Sequence, residues 1–528
     1  MPDLLLLGRI RTLDPTRPVA DAALVRDGRF AVVGTRAECE AGAGPGATGH
    51  ELGGGCATPG LVDAHGHPYM LGRALLDVSC AGAPSEAECA ARVIQRARRA
   101  PGQGWITGRG WDQNLWPGSA WPTATALDAA VGDRPVLLDR VDGHASWVSS
   151  AALARAGISR DTPDPPGGRI VRDDAGRPTG VLVDAARDAV LRAIGPPSPE
   201  QVDEALRLGL AELRRLGLTG AHDAGATPEL LAGHRRLAAS GELPVRVYAM
   251  VDGQAPLDEM LRRIANRGPA QQGLLTVRAV KLFADGALGS RGAALLEPYA
   301  DAPAERGLLL LEPEELRERL AHVAQAWLQP AVHAIGDRAC REVLHAFADA
   351  AEALRGLRPR VEHLQIVHPQ DWELLARSGA IASMQPIHAV SDAAWVEERL
   401  GPARALGAYA WRSAAKAGAP LALGSDFPVE SADPRLGLSS AERRIPRGSA
   451  KAWNAAERLS RAEALRGFTT GAAWAEFAED RRGMVRVGFD ADLTLWGEDV
   501  LDVPAEALEA IPIVGTMVAG DLRLDDRR

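Results

Sequence analysis

Short apolar runs, several of them carrying or closed by a polar residue, recur through the middle of this 528-residue chain. They cover residues 60–65, 218–223, 245–251, 278–284, 331–335, 361–366, 381–385 and 421–425. Between most of them the apolar positions change to helical spacing, as in residues 201–216, 313–328 and 340–354. Strands alternating with helices predict a parallel sheet with crossover helices. Eight such strands predict an α/β fold of the (β/α)8 TIM-barrel type.

Two departures from this rhythm shape the expected organisation. Residues 4–7, 22–25 and 30–33 near the start, and 492–496 and 513–518 near the end, are short apolar runs separated by turn signals such as Asp27-Gly28 and Gly520-Asp521. They predict a small β-sandwich domain formed from both termini, residues 1–55 and 480–528, around a barrel of residues 56–479. About 150 residues separate the first two barrel strands, where a crossover unit takes about 30. Residues 70–200, rich in Trp, Gly and Pro, therefore read as a subdomain inserted after the first strand, placed to act as a lid or substrate wall.

Composition removes several function classes. The net charge is −9, the pI near 5.8, and no Lys/Arg-rich tract occurs, which argues against nucleic acid or an anionic membrane as partner. The apolar run at residues 4–7 is too short for a signal-peptide core or a membrane span. Five cysteines, odd in number and never in C-x-x-C spacing, point to a reducing, cytoplasmic setting and away from a cysteine zinc site. A small-molecule substrate is the expected partner, with a homodimer compatible with the chain.

The polar residues closing the runs carry the chemistry. In Thr58-Pro-Gly-Leu-Val-Asp-Ala-His-Gly-His67, Asp63, His65 and His67 alternate, so a strand would present both imidazoles on one face, as a divalent metal requires. Lys281 stands inside an apolar strand, His333 in Ala331-Val-His-Ala, Glu362 and His363 in Arg360-Val-Glu-His, and Asp426 after Leu421-Ala-Leu-Gly-Ser. Taken singly, each has an ordinary explanation: a hydrogen-bonded core histidine, an N-cap aspartate, a snorkelling lysine. Together they would converge at the C-terminal mouth of the barrel, where uncompensated polar groups would cost several kcal/mol and a metal would compensate them. Histidine and carboxylate ligands suit Zn, Mn, Fe or Co, one or two ions per chain.

These stretches resemble the amidohydrolase superfamily, and more narrowly its amidohydrolase family 3 (YtcJ-like) branch, which includes N-substituted formamide deformylase. The resemblance is carried by Pro59-Gly-Leu-Val-Asp-Ala-His-Gly-His67, Asp142-Gly-His-Ala-Ser-Trp147, Lys281-Leu-Phe-Ala-Asp-Gly-Ala-Leu-Gly-Ser290, Val332-His-Ala-Ile-Gly-Asp-Arg338, Val361-Glu-His-Leu-Gln365, Ser383-Met-Gln-Pro386 and Gly424-Ser-Asp-Phe-Pro428. It implies that His65, His67 and Asp426 hold the more buried metal and that His333 and His363 hold a second. A carboxylated Lys281 would bridge the two, with zinc the expected ion. Asp426 would orient and deprotonate the attacking water in the hydrolysis of an amide, formamide or cyclic amidine C–N bond.

His144, Asp112, Trp147, Arg291 and Gln385 are the candidate substrate-binding residues, and Asp285 could instead pair with Arg291 in the loop after the fourth strand. His144 serves equally well as a structural turn residue. His388 could reach the site from the seventh strand, whereas His222 and Asp223 are assigned no ligand role. An esterase or lactonase using the same site, and a metal-free binding protein on this fold, are the competing readings.

Overall fold

The computed structural model describes residues 2–100, 102–265 and 268–525. The chain divides into two compact units, Met1–Pro68 with Leu206–Arg528, and Tyr69–Ala205.

The larger unit is built on eight parallel strands in chain order: Leu61–Gly66, Leu218–Ala226, Arg246–Asp252, Leu275–Phe283, Gln329–Ala334, Arg360–His363, Ile381–Met384 and Leu421–Leu423. Each pairs with the next in parallel register. Their residues are buried almost throughout, which explains the continuous apolar runs: a strand covered on both faces has no polar side to alternate with. Helices such as Pro313–Gln325 and Asp337–Asp349 make the crossovers.

The eighth strand meets the first beyond its own end. The Asp426 amide donates to the His65 carbonyl (2.7 Å) and the His67 amide to the Phe427 carbonyl (2.8 Å). Asp63 completes this seam: one carboxylate oxygen accepts from the Ser425 amide (3.1 Å) and the His65 amide (3.0 Å), the other from the Ser425 hydroxyl (2.6 Å). The strands lie so close here that a Cβ at Gly424 would sit 2.5 Å from Asp63 Oδ1, and one at Gly66 would sit 2.1 Å from the Phe427 ring. Glycine between the two histidines is therefore a packing requirement.

Strands from both chain ends form one seven-stranded sheet, ordered Asp521–Leu524, Ile513–Val518, Leu493–Trp496, Thr48–Pro59, Leu4–Arg11, Val19–Arg26 and Arg29–Gly34. Leu6, Ile10, Phe30, Phe489, Leu493 and Met517 fill its core. In the smaller unit a six-stranded sheet runs Gly168–Arg172, Pro178–Asp184, Ala145–Val148, Val136–Arg140, Ile106–Trp111, Val78–Ser79. Trp111, Trp116 and Trp147 stack edge to edge or tilted against one another in its core, centroids 6.1–6.4 Å apart. No helix among the described residues is long and apolar enough to cross a membrane.

Candidate metal centre

His65, His333, His363 and Lys281 come from the first, fifth, sixth and fourth strands, His67 and Asp426 from the loops just beyond the first and eighth, and His388 from the helix Pro386–Asp392 after the seventh. The His65 ring lies 5.8 Å from that of His67 and 4.7 Å from that of His363, and His363 lies 4.6 Å from His333. Asp426 Oδ1 is 3.1 Å from His67 Nε2 and 3.6 Å from His65 Nε2. Ligand atoms of His65, His363 and Asp426 all fall within 4.8 Å of one another.

Strict strand geometry would not produce this convergence. Arg360 and Glu362, two apart, both point into the barrel, so His363 should point out. Its φ of 73° breaks the strand and turns the ring inward; Asp426, at φ 62°, turns the same way after the eighth strand. Such left-handed backbone costs a non-glycine residue roughly 1–2 kcal/mol, and strain of this kind collects at functional sites.

Burial sets the charge state. It pushes the His65 pKa down to about 4 and that of His333 to about 3, with the nearby Lys281 charge adding to both, and holds His363 well below its usual value. The site therefore offers neutral imidazoles, the form that binds metal. Burial also lowers Lys281 to about 8. Burial opposes ionisation of Asp426, but the His67 hydrogen bond and the surrounding imidazoles outweigh it and keep the carboxylate ionised.

The donors fit a divalent cation. His333 Nε2 and His388 Nε2 are buried without a hydrogen-bond partner; the nearest carboxylate oxygens, Asp285 Oδ1 at 3.6 Å and Asp426 Oδ2 at 3.9 Å, are beyond hydrogen-bond reach. Partnerless buried nitrogens beside other imidazoles and an ionised carboxylate are the arrangement a cation would satisfy.

Comparison with known proteins settles the family. The model described as "Amidohydrolase family" matches residues 50–523. The chain belongs to the amidohydrolase family. It is 36% identical over 480 residues to YtcJ of Bacillus subtilis (strain 168), named as an amidohydrolase, covering 89% of each chain. It is 28% identical over 549 residues to N-substituted formamide deformylase of Arthrobacter pascens, covering 99% of each. The crystal structure of an uncharacterized metal-dependent hydrolase from Pyrococcus horikoshii OT3 superposes with a TM-score of 0.79 at 27% identity, over 96% of this chain and 99% of that one. In enzymes built on such barrels the catalytic residues stand at the C-terminal ends of the strands, which is where these donors lie.

The expected substrate residues fare differently from the donors. Gln385 is buried beside the donors: its Oε1 lies 2.8 Å from His363 Nδ1, so it fixes the orientation of that ring. Arg291 pairs with Asp301 (2.7 Å), not with Asp285; Asp285 accepts backbone amides of Ala294, Ile335 and Gly336. A three-amide cage is the better use of a buried carboxylate than an arginine a third exposed to solvent. Trp147 is fully buried and donates to the Thr123 carbonyl (2.8 Å), which makes it core. Asp112 caps the turn at Asn114 and pairs with Arg140 (2.9 Å). His144 is exposed on the smaller unit, its Nδ1 2.8 Å from Asp184. His222 and Asp223 hold no position among the donors: His222 Nδ1 lies 2.8 Å from Arg360 Nη1, and Asp223 2.7 Å from His234 Nε2. Glu362, which sequence reasoning left without a role, lies 2.6 Å from His65 Nδ1. Opposite charges two apart in an apolar strand, Arg360 and Glu362, were the available signal, since neither could reach water.

Proposed function

We propose that this metal-dependent hydrolase cleaves a C–N bond, in an amide, formamide or cyclic amidine, of a small molecule. The observation that carries the reading is the convergence of His65, His67, His333, His363 and Asp426 on one centre, with buried imidazole nitrogens left partnerless. Similarity to N-substituted formamide deformylase across 99% of both chains supports a C–N bond as the target.

A divalent cation, zinc being the one we propose among the Zn, Mn, Fe and Co these ligands suit, would supply Lewis acidity that acidifies a water and polarises the scissile carbonyl. The chain does the rest. His65, His67, His333 and His363 would hold the ion or ions as neutral imidazoles. Lys281, with an amine depressed to about 8, is partly neutral near physiological pH and open to carboxylation by CO2. Carboxylation would replace a buried cation with an anionic group able to join the metal ligands. Asp426, ionised and within hydrogen-bond reach of His67, would take the proton of the attacking water and deliver it to the leaving nitrogen. The five cysteines are buried and free, which supports a reducing, cytoplasmic setting.

A panel of N-substituted formamides, amides, cyclic amidines, esters and lactones, assayed with zinc-loaded and chelated protein, tests this reading. The expected result is metal-dependent turnover of a C–N substrate at least about 100-fold above any ester, a gap of roughly 2.7 kcal/mol in transition-state stabilisation. Turnover of lactones or esters alone would replace the reading with an esterase. Zinc-independent behaviour with no turnover would favour a binding protein.

A further inference from the structure

Glu362 and Arg360 are both fully buried in the barrel interior, beneath the donors of the proposed metal centre. Glu362 Oε2 lies 2.6 Å from His65 Nδ1 and accepts from Arg360 Nη2 at 3.2 Å; Arg360 Nε lies 2.7 Å from Glu362 Oε1. Arg360 Nη2 also donates to the Ala64 carbonyl (2.8 Å) and the Ser383 hydroxyl (2.9 Å), while Nη1 reaches His222 Nδ1 at 2.8 Å. The guanidinium is thus tied to the first, second and seventh strands and cannot shift without breaking several bonds.

An ionised carboxylate only accepts hydrogen bonds. The Arg360 guanidinium lies along Glu362, Nη2 3.2 Å from Oε2 and Nε 2.7 Å from Oε1, so the carboxylate faces a fixed cation on one side and His65 on the other. The proton of the His65 imidazole must therefore sit on Nδ1, leaving the lone pair on Nε2. That nitrogen faces the centre, 3.4 Å from Lys281 Nζ and 3.6 Å from Asp426 Oδ1.

We infer that the Arg360–Glu362 ion pair is a positioning device that fixes the tautomer and ring angle of His65 so that Nε2 points at the metal. The inference rests on the reading of His65 as a metal ligand. A carboxylate behind a ligating histidine raises its basicity as well as orienting it, and losing such a partner typically costs about 10- to 100-fold in metal affinity.

The alternative is that the pair only holds strands together. A buried ion pair is a poor choice for that, because replacing both partners with apolar residues is often neutral or stabilising, whereas removing one strands a buried charge. The two roles separate in the full-length protein by comparing Glu362→Leu with the double variant Arg360→Met/Glu362→Leu. Zinc affinity is read by competition with a chromophoric chelator, and thermal stability is read on the chelated protein. The double variant is expected to recover the stability lost in the single variant yet remain about 10- to 100-fold weaker for zinc. A folded double variant with wild-type affinity would overturn the inference.

A second readout needs no variant. In 15N-histidine-labelled, metal-free protein, long-range 1H–15N correlation should show His65 as the Nδ1–H tautomer; an Nε2–H tautomer would also overturn it. Failure of the wild-type protein to bind zinc at all would instead remove the metal reading beneath the inference, and the two failures are distinguishable.

Discussion

Asp426 holds two positions at once: its backbone amide closes the barrel seam on His65, and its side chain faces the imidazoles of three neighbouring elements. Asp426→Asn keeps the size and the amide, so the chain should fold normally while losing the proton acceptor. The expected loss is about 10²- to 10⁴-fold in kcat even at saturating zinc, measured on the best C–N substrate. A loss smaller than tenfold would remove Asp426 as the base. The depressed histidines give a pH dependence with a definite sign. His65 and His333 have native pKa values of about 4 and about 3 against 6.5 unfolded, so between these limits the unfolded chain binds more protons. Their contribution is fully present above pH 6.5 and is lost as pH falls through about 4. Thermal denaturation of chelated protein should show a falling Tm across that window, and a Tm independent of pH there would contradict the neutral, buried histidines. At this scale the sequence was most legible where chemistry forbids a bland explanation, as for His65, Lys281 and Asp426. It was least legible where a residue's partner lies far along the chain, as for Glu362 with His65, 297 positions away.

At the level of elements, the closing seam is where local sequence and barrel geometry meet. Asp63 accepts two hydrogen bonds across it from Ser425 and one within its own strand from the His65 amide, and burial raises its carboxyl to about 7, with these hydrogen bonds working against that rise. Asp63→Ala would leave the Ser425 and His65 amides buried and unpaired, at a cost of about 1–3 kcal/mol, read as a shift in urea midpoint. The alternation of Asp63, His65 and His67 would place all three on one face of an ideal strand, but the fold gives them different tasks. Asp63 binds backbone across the seam, His65 is sealed beneath the centre, and His67 lies past the strand end, a quarter exposed. No propensity in the H-x-H motif distinguishes a seam residue from a ligand, because the difference lies in which strand comes to lie alongside. The same holds for Gln385 and Trp147: both stand in motif-bearing stretches, and both are buried by packing that only the assembled sheets create.

Across the whole molecule, the eight barrel strands were legible because burial on both faces writes a continuous apolar run that no exposed segment imitates. The chain ends were harder. Short amphipathic runs predict strands, yet Thr48–Pro59 pairs in parallel with Leu4–Arg11 and antiparallel with Leu493–Trp496, and the second pairing depends on contacts spanning more than 400 residues. The barrel's central claim is that its convergent donors bind the ion that catalysis requires. The most direct test is metal content per chain by inductively coupled plasma mass spectrometry, on wild-type protein and on His363→Ala, both exposed to micromolar zinc or manganese and then desalted. The account predicts stoichiometric metal in the wild-type chain and a clear loss in the variant. No retained metal in the wild-type chain, or equal metal in both, would contradict it.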